Sequence, residues 1–269
     1  MNILQRLFGK KNKPAPVVKP PVDTITVENN LEERVNKTVE LLEEHKRTAY
    51  LPITSEHANT FSDRSKIGGF PYLRIAEDWP KCPNCQKHMQ LFLQLNLEHI
   101  PERKDIGLIQ LFYCTSKEPD CETALKAFFP FSSAVVCRKT TVNGASAIIQ
   151  PVIESVFQEK LITGWEAKDD YPHVEEYESL GLDMDDEVLE IMDARGLGLT
   201  IDKDKLFGWP YWVQGVEYPL DRATNQPMEL LFQLDSEDHL PFMFGDSGIG
   251  HLTQSPDNKE EMAFGWACY

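Results

Sequence analysis

The chain lacks any run of about 18 apolar residues, so nothing in it reads as a membrane span. Its one apolar stretch near the start, Ile3 to Phe8, is too short for a secretory leader. It also lacks a Gly-rich phosphate loop and a dinucleotide fingerprint, which removes the nucleotide-binding folds that depend on them. Basic residues are scarce. Against 43 Asp and Glu there are 27 Lys and Arg, giving a net charge of −16, which repels phosphate backbones and argues against nucleic-acid binding by the acidic body. The composition predicts a cytoplasmic protein with reduced thiols. A chain of 269 residues buries enough surface to hold a core without disulfides, so its six cysteines are free for other uses.

Acid is missing altogether from residues 1 to 20, where Arg6, Lys10, Lys11, Lys13 and Lys19 stand with Pro14, Pro16 and Pro20. Residues 1–25 therefore read as a basic, Pro-rich flexible tail. Ile3, Leu4, Leu7 and Phe8 would share one helical face and allow weak contact with a membrane surface, without stable insertion. Asn30 with Glu33 marks a helix start, and Leu31, Val35, Val39 and Leu42 continue it to about Arg47. Beyond Ala49, short β-branched and aromatic runs predict strands at Tyr50 to Ile53, Met89 to Leu97, Gly107 to Cys114, Ser133 to Arg138 and Ala147 to Ile153. A second helix is expected over Glu176 to Met192, with Leu180, Met184, Val188 and Ile191 on one stripe. Between Trp165 and Asp193 there are twelve acids and one lysine, a solvated face or a docking surface for a basic protein partner.

The chain also matches itself. Gly69-Phe-Pro-Tyr72 corresponds to Gly208-Trp-Pro-Tyr211, and Met89 to Leu95 corresponds to Met228 to Leu234, with one offset of 139 residues and eight identities in a 27-residue window. After a two-residue shift, Asp105-Ile-Gly falls on Asp246-Ser-Gly. A shared offset over this length is the mark of a repeat. Each copy holds a Gln, at Gln94 and Gln233, in an otherwise apolar strand, and a buried Gln needs backbone partners. The expected fold is α+β and internally duplicated. It comprises two β-rich halves related by pseudo-twofold symmetry with flanking helices. Residues 26–269 form one duplicated domain, with copies at about 49–155 and 200–269 and an acidic helical connection between them.

Ser65-Lys-Ile-Gly-Gly-Phe-Pro-Tyr72, Trp79-Pro80, Met89 to Leu95, Ile162-Thr-Gly-Trp165 with Asp170-Tyr-Pro172, and the ending Phe264-Gly-Trp-Ala-Cys268 resemble the YwqG-like family of bacterial proteins. The likeness runs from about residue 30 to the end. The first copy is also similar to the programmed cell death protein 2 group, which shares a Gly-Gly-x-Pro start, a Cys-x-x-Cys, a Gln-containing strand and a later Cys pair. That group escorts a basic ribosomal protein. The resemblance implies a duplicated α+β fold and supplies no reaction.

Cys82-Pro-Asn-Cys85 is a metal knuckle in form, and Cys114 with Cys121 would return to it across a hairpin. The wide gap in the second pair leaves His88 as a substitute ligand. A structural zinc ion ranks ahead of unligated thiols and of a redox pair. Because Asp221 and Thr224 stand where Cys82 and Cys85 stand in the first copy, metal is expected in one copy only. Phe244-Gly-Asp-Ser-Gly248 with His251 resembles a serine-protease nucleophile turn, but no third group completes a triad, so Ser247 reads as part of a turn. The function expected is a protein-binding module, chaperone-like or an accessory or immunity-type factor. The alternative is an enzyme with its site in the groove between the halves, where Tyr72, Trp79, Tyr211, Trp212 and His251 would gather.

Overall fold

The computed structural model describes residues 24–75, 77–144, 157–182 and 185–269, and only the backbone of 24–29. The basic tail, Met184 and the strand expected at Ala147 to Ile153 lie outside the described residues. Among the described residues, three α-helices, α1 (Thr24–Glu44), α2 (Cys121–Ala124) and α3 (Asp186–Arg195), accompany ten strands. The strands are β1 (Arg47–Glu56), β2 (Lys66–Ile67), β3 (Gln90–Asn96), β4 (Leu108–Tyr113), β5 (Val135–Thr140), β6 (Lys160–Asp170), β7 (Lys205–Phe207), β8 (Glu229–Asp235), β9 (Ile249–Gln254) and β10 (Met262–Ala267). The fold is mostly β with few helices, and broadly α+β.

All ten strands belong to one antiparallel sheet in the order β10-β9-β8-β7-β1-β6-β2-β3-β4-β5. The centre is the long β1–β6 ribbon, paired from Arg47 with Asp170 to Glu56 with Lys160. On one side β2 pairs β3 with Lys66 opposite Gln94, and on the other β7 pairs β8 with Lys205 opposite Gln233. A register break falls between Leu91 and Leu93 in β3 and between Leu230 and Phe232 in β8. The sheet curls until its edges β5 and β10 touch, and the Trp266 N–H donates to the Phe128 carbonyl at 3.0 Å. Near-closure of this kind covers strand edges that would otherwise template aggregation.

The curl creates the core. Phe92 and Tyr113 from one side stack at 4.9 Å, and Phe242 and Phe244 from the other pack against both. β3 and β4 are buried along their whole length, which explains their nearly unbroken apolar sequence. A second apolar cluster joins Val35 and Leu42 of α1 to Val188 and Met192 of α3 and to Tyr177 and Leu182.

Both helix boundaries differ from expectation. α1 starts at Thr24, ahead of Asn30, because no Pro or Gly after Pro21 interrupts it. It stops at Glu44, and Arg47 already belongs to β1. The helix expected from Glu176 is divided: a 3₁₀ turn covers Val174–Glu176, Gly181 takes a left-handed φ of 70°, and α3 begins only where Asp185 accepts the Glu187 N–H. Gly196, at φ 66°, closes α3 with the Leu197 N–H bonded to the Met192 carbonyl at 2.9 Å.

Candidate metal centre and the buried pairs around the sheet

The turn before β3 carries the first two cysteines. The Cys82 N–H donates to the Lys87 carbonyl and the Gln86 N–H to the Cys82 carbonyl, both at 2.9 Å, and Gln86 supplies the left-handed residue at φ 61°. Pairing of Gln90 with Tyr113 then brings the end of β4 beside this turn. Cys114 follows directly, and Cys121 opens α2, whose first turn is capped by Asp120. Two hairpin strands and one helix start thus converge on one point.

There the sulfurs of Cys82, Cys85, Cys114 and Cys121 all lie within 4.8 Å of one another, with Cys85 and Cys114 at 3.6 Å. None is in a disulfide. Four thiolates bound at about 2.3 Å to a tetrahedral zinc ion stand about 3.8 Å apart, so the observed spacing suits that geometry. Hydrogen-bond donors reach the sulfurs. Asn84 donates to the Cys121 sulfur at 3.3 Å, and the backbone amides of Lys87 and Ser116 reach Cys85 and Cys114. Burial alone would raise the Cys85 thiol, but the Lys87 amide and the neighbouring sulfurs bring it down to about 7. Burial raises Cys114 and Cys121, as expected of sulfurs packed together without a cation. His88 is no ligand here: its ring edge faces Trp79, and the cysteines complete the donor set. Four protein ligands would leave a bound zinc no open position, so its chemistry is that of a staple.

The second half builds the same turn without sulfur. Asp221 stands at the position of Cys82, its N–H bonded to the Gln226 carbonyl at 2.9 Å, and the Asn225 N–H bonded to the Asp221 carbonyl at 2.8 Å. Asn225 takes the left-handed φ of 59°. The Asp221 carboxylate accepts the Ala223 and Thr224 amides at 2.7 and 2.8 Å. Its pKa is lowered to about 2, chiefly by the Ser255 hydroxyl and then by these amides.

The two buried glutamines are held alike. Gln94 accepts the Tyr72 amide at 2.8 Å and donates to Ser62 and Arg64. Gln233 accepts the Tyr211 amide at 2.8 Å and donates to Ile201 and Lys203. Two fully buried ion pairs flank the central ribbon: Lys66 with Glu159 at 3.1 Å and Lys205 with Asp170 at 2.9 Å. Their carboxylates explain the glycines that open each Gly-x-Pro-Tyr run. A Cβ on Gly69 would come within 2.8 Å of Glu159, and one on Gly208 within 2.2 Å of Asp170. Residue-by-residue reading passed over these lysines, although they stand just ahead of the matched window at the same offset, 66 and 205. It also passed over Asp204, Asp238 and His239. His239 Nδ1 lies 2.9 Å from Asp204 and 3.1 Å from Asp238, and those two bonds raise the imidazole to about 9. Burial raises Asp204 to about 6. No sequence spacing marks this trio, because Asp204, in the bend before β7, lies 34 and 35 residues from Asp238 and His239.

Of the five residues expected in one groove, Tyr211, Trp212 and His251 stand together and Tyr72 and Trp79 lie elsewhere. Tyr72 bonds the Gly144 carbonyl, and the Trp79 indole donates to Met89 within a cluster of Phe61, Phe70 and His88. Trp212 donates to Glu176 and lies against His251, whereas Tyr211 faces His173. Ser247 donates to Glu237 at 2.9 Å, not to a histidine. His251 is buried, with its pKa lowered to about 3, first by burial and then by the charge of Lys205.

Residues 65–269 match the family described as a domain of unknown function, DUF1963, and the chain belongs to that family. No curated protein matches it. Among the described residues, no helix is long and apolar enough to cross a membrane.

Proposed function

We propose that this protein is a cytoplasmic protein-binding module that receives a basic partner on its acidic face, and that zinc held by Cys82, Cys85, Cys114 and Cys121 fastens the first half of the scaffold. The two halves are copies of one ancestral unit, a reading supported by the matched registers and glutamine clamps on either side of the β1–β6 ribbon. The observation that carries the binding role is the exposure of the acidic segment. Of its eleven described carboxylates, nine (Glu166, Asp169, Glu175, Glu178, Asp185, Asp186, Glu187, Glu190 and Asp193) are exposed, and only Asp170 and Glu176 are buried. Some are neutralised at home by Arg34, Lys46 and Lys168, whereas Glu178, Asp186 and Glu190 stand outside the ion pairs of the described residues. Surface charge of one sign steers and retains a partner of the other. An enzyme is the weaker reading, since Tyr72 and Trp79 bond backbone of their own half and Ser247 donates to Glu237, not to a histidine.

Capture from lysate at low salt, followed by a salt gradient, tests the role. The basic partner elutes as salt rises, and replacing Glu178, Asp186 and Glu190 together with Gln reduces its capture. Retention of the same partner by the triple variant at every salt concentration contradicts the acidic face as the docking surface.

A further inference from the structure

The tyrosine of each Gly-x-Pro-Tyr run meets a different fate. In the first half Tyr72 is 2% exposed. Its hydroxyl donates to the Gly144 carbonyl and accepts the Asn143 amide, both at 3.2 Å. Phe61 stacks on Phe70 at 4.7 Å and meets Trp79 edge to face. In the second half the position of Phe61 is Thr200, and the ring of Tyr211 is only half-buried. Thr200 and Tyr211 line a cavity of about 470 Å³, within the size range of small-molecule sites.

Its lining is mixed in a telling way. Tyr177, Leu189, Met192 and Leu197 give it an apolar lining, and the exposed Asp193 and Asp202 join that lining from two separate segments. No lysine or arginine lines it. Lys205, the nearest buried cation, is committed to Asp170 and to the Ile201 carbonyl, and Arg195, in the last turn of α3, is committed to Glu32. The Tyr211 phenol, bonded to that of Tyr269, is raised to about 12 by that bond first, then by burial, and also by the charges of Asp202 and Asp193. Both carboxylates thus act on the same hydroxyl. His173 beside it is held neutral by burial and adds no positive charge.

We propose that this cavity is a binding site for an ammonium or guanidinium group carried on a short apolar stem, the stem on the Met192–Leu197 lining and the cation between Asp193 and Asp202. The site requires neither zinc nor the partner proposed above, because a free amine suffices to occupy it.

The test is titration of the full chain with 2-phenylethylammonium, its neutral isostere 2-phenylethanol and the anion 3-phenylpropionate, by calorimetry and by the ring resonances of His173. Binding at one site in the order ammonium, alcohol, carboxylate is the expected result. Asp193→Asn with Asp202→Asn weakens the ammonium about fivefold to tenfold, toward the alcohol. Thr200→Phe, which adds a ring to the lining, removes binding while the melting temperature holds. A blocked lysine that binds at least as tightly assigns the natural source to a protein side chain, and weaker binding assigns it to a free amine; either supports the site. Equal binding of all three probes, no binding of any at millimolar concentration, or ammonium binding undiminished in a folded Thr200→Phe variant overturns it.

Discussion

The turns before β3 and β8 share a pattern of backbone hydrogen bonds and are fastened differently. At the turn before β3 the fastening is four sulfurs drawn from a turn, a strand end and a helix start. At the turn before β8 it is one carboxylate that satisfies the amides of its own turn. The first device ties together segments distant in sequence; the second is local. The turn is thus anchored by a side chain on each side, a carboxylate at Asp221 and sulfur at Cys82 and Cys85, and the cysteines also bring in the Cys114–Cys121 segment.

The buried pairs offer the most severe way to break the comparison. Lys66→Met and Lys205→Met each strand a buried carboxylate, and each should cost about 3–5 kcal/mol, read as a lower denaturation midpoint. Similar losses on the two sides would show that the ribbon is supported symmetrically, and a negligible loss on either would remove that pair from the scaffold. Next in size is Gly208→Ala, for which the added Cβ meets Asp170 and a φ of 77° is strained for any L residue. About 3 kcal/mol is expected, and Gly69→Ala should be milder, since Glu159 lies slightly farther off.

A smaller effect separates the halves by pH. His239 has no counterpart in the first half, where Ile100 stands in its place. With its folded pKa at about 9, above the ordinary 6.5, the folded state holds this proton more tightly than the unfolded chain. The resulting stability is complete below about pH 6.5 and is lost as pH rises through 9. Lys205 titrates in the opposite sense near there, its pKa lowered to about 8 by burial, so the effect is read as a difference between the wild type and His239→Gln. About 2 kcal/mol of alkaline decline should vanish in the variant; parallel profiles would show that His239 carries no linked proton. Smallest is the acidic face: Glu178, Asp186 and Glu190 replaced together by Gln should leave stability within about 1 kcal/mol.

How much of this was legible in the sequence varies with the range of the interaction. β3 and β4 were placed within a residue or two, because full burial makes them unbroken apolar runs between Gly and Pro. The convergence of the four cysteines was legible, since a Cys-x-x-Cys before one hairpin strand and a Cys at the end of the next meet when the strands pair. β6 escaped as a strand because Glu166, Lys168 and Asp169 lie on an exposed stretch and look like the approach to a helix. The expected helix at Glu176 failed on Gly181, a single residue whose left-handed backbone outweighs a helical stripe. Lys66 and Lys205 read as surface residues by type; only their partners on or beside β6, 93 and 35 residues away, show them to be interior.

Amide hydrogen exchange on the zinc-loaded protein, with and without a strong chelator, tests the contrast between the two turns most directly. Chelation should strip protection from residues 82–89 and 114–124 while 221–228 keep theirs, because Asp221 needs no metal to hold its turn. Equal loss at both turns, or no change at 82–89 and 114–124, would contradict the account.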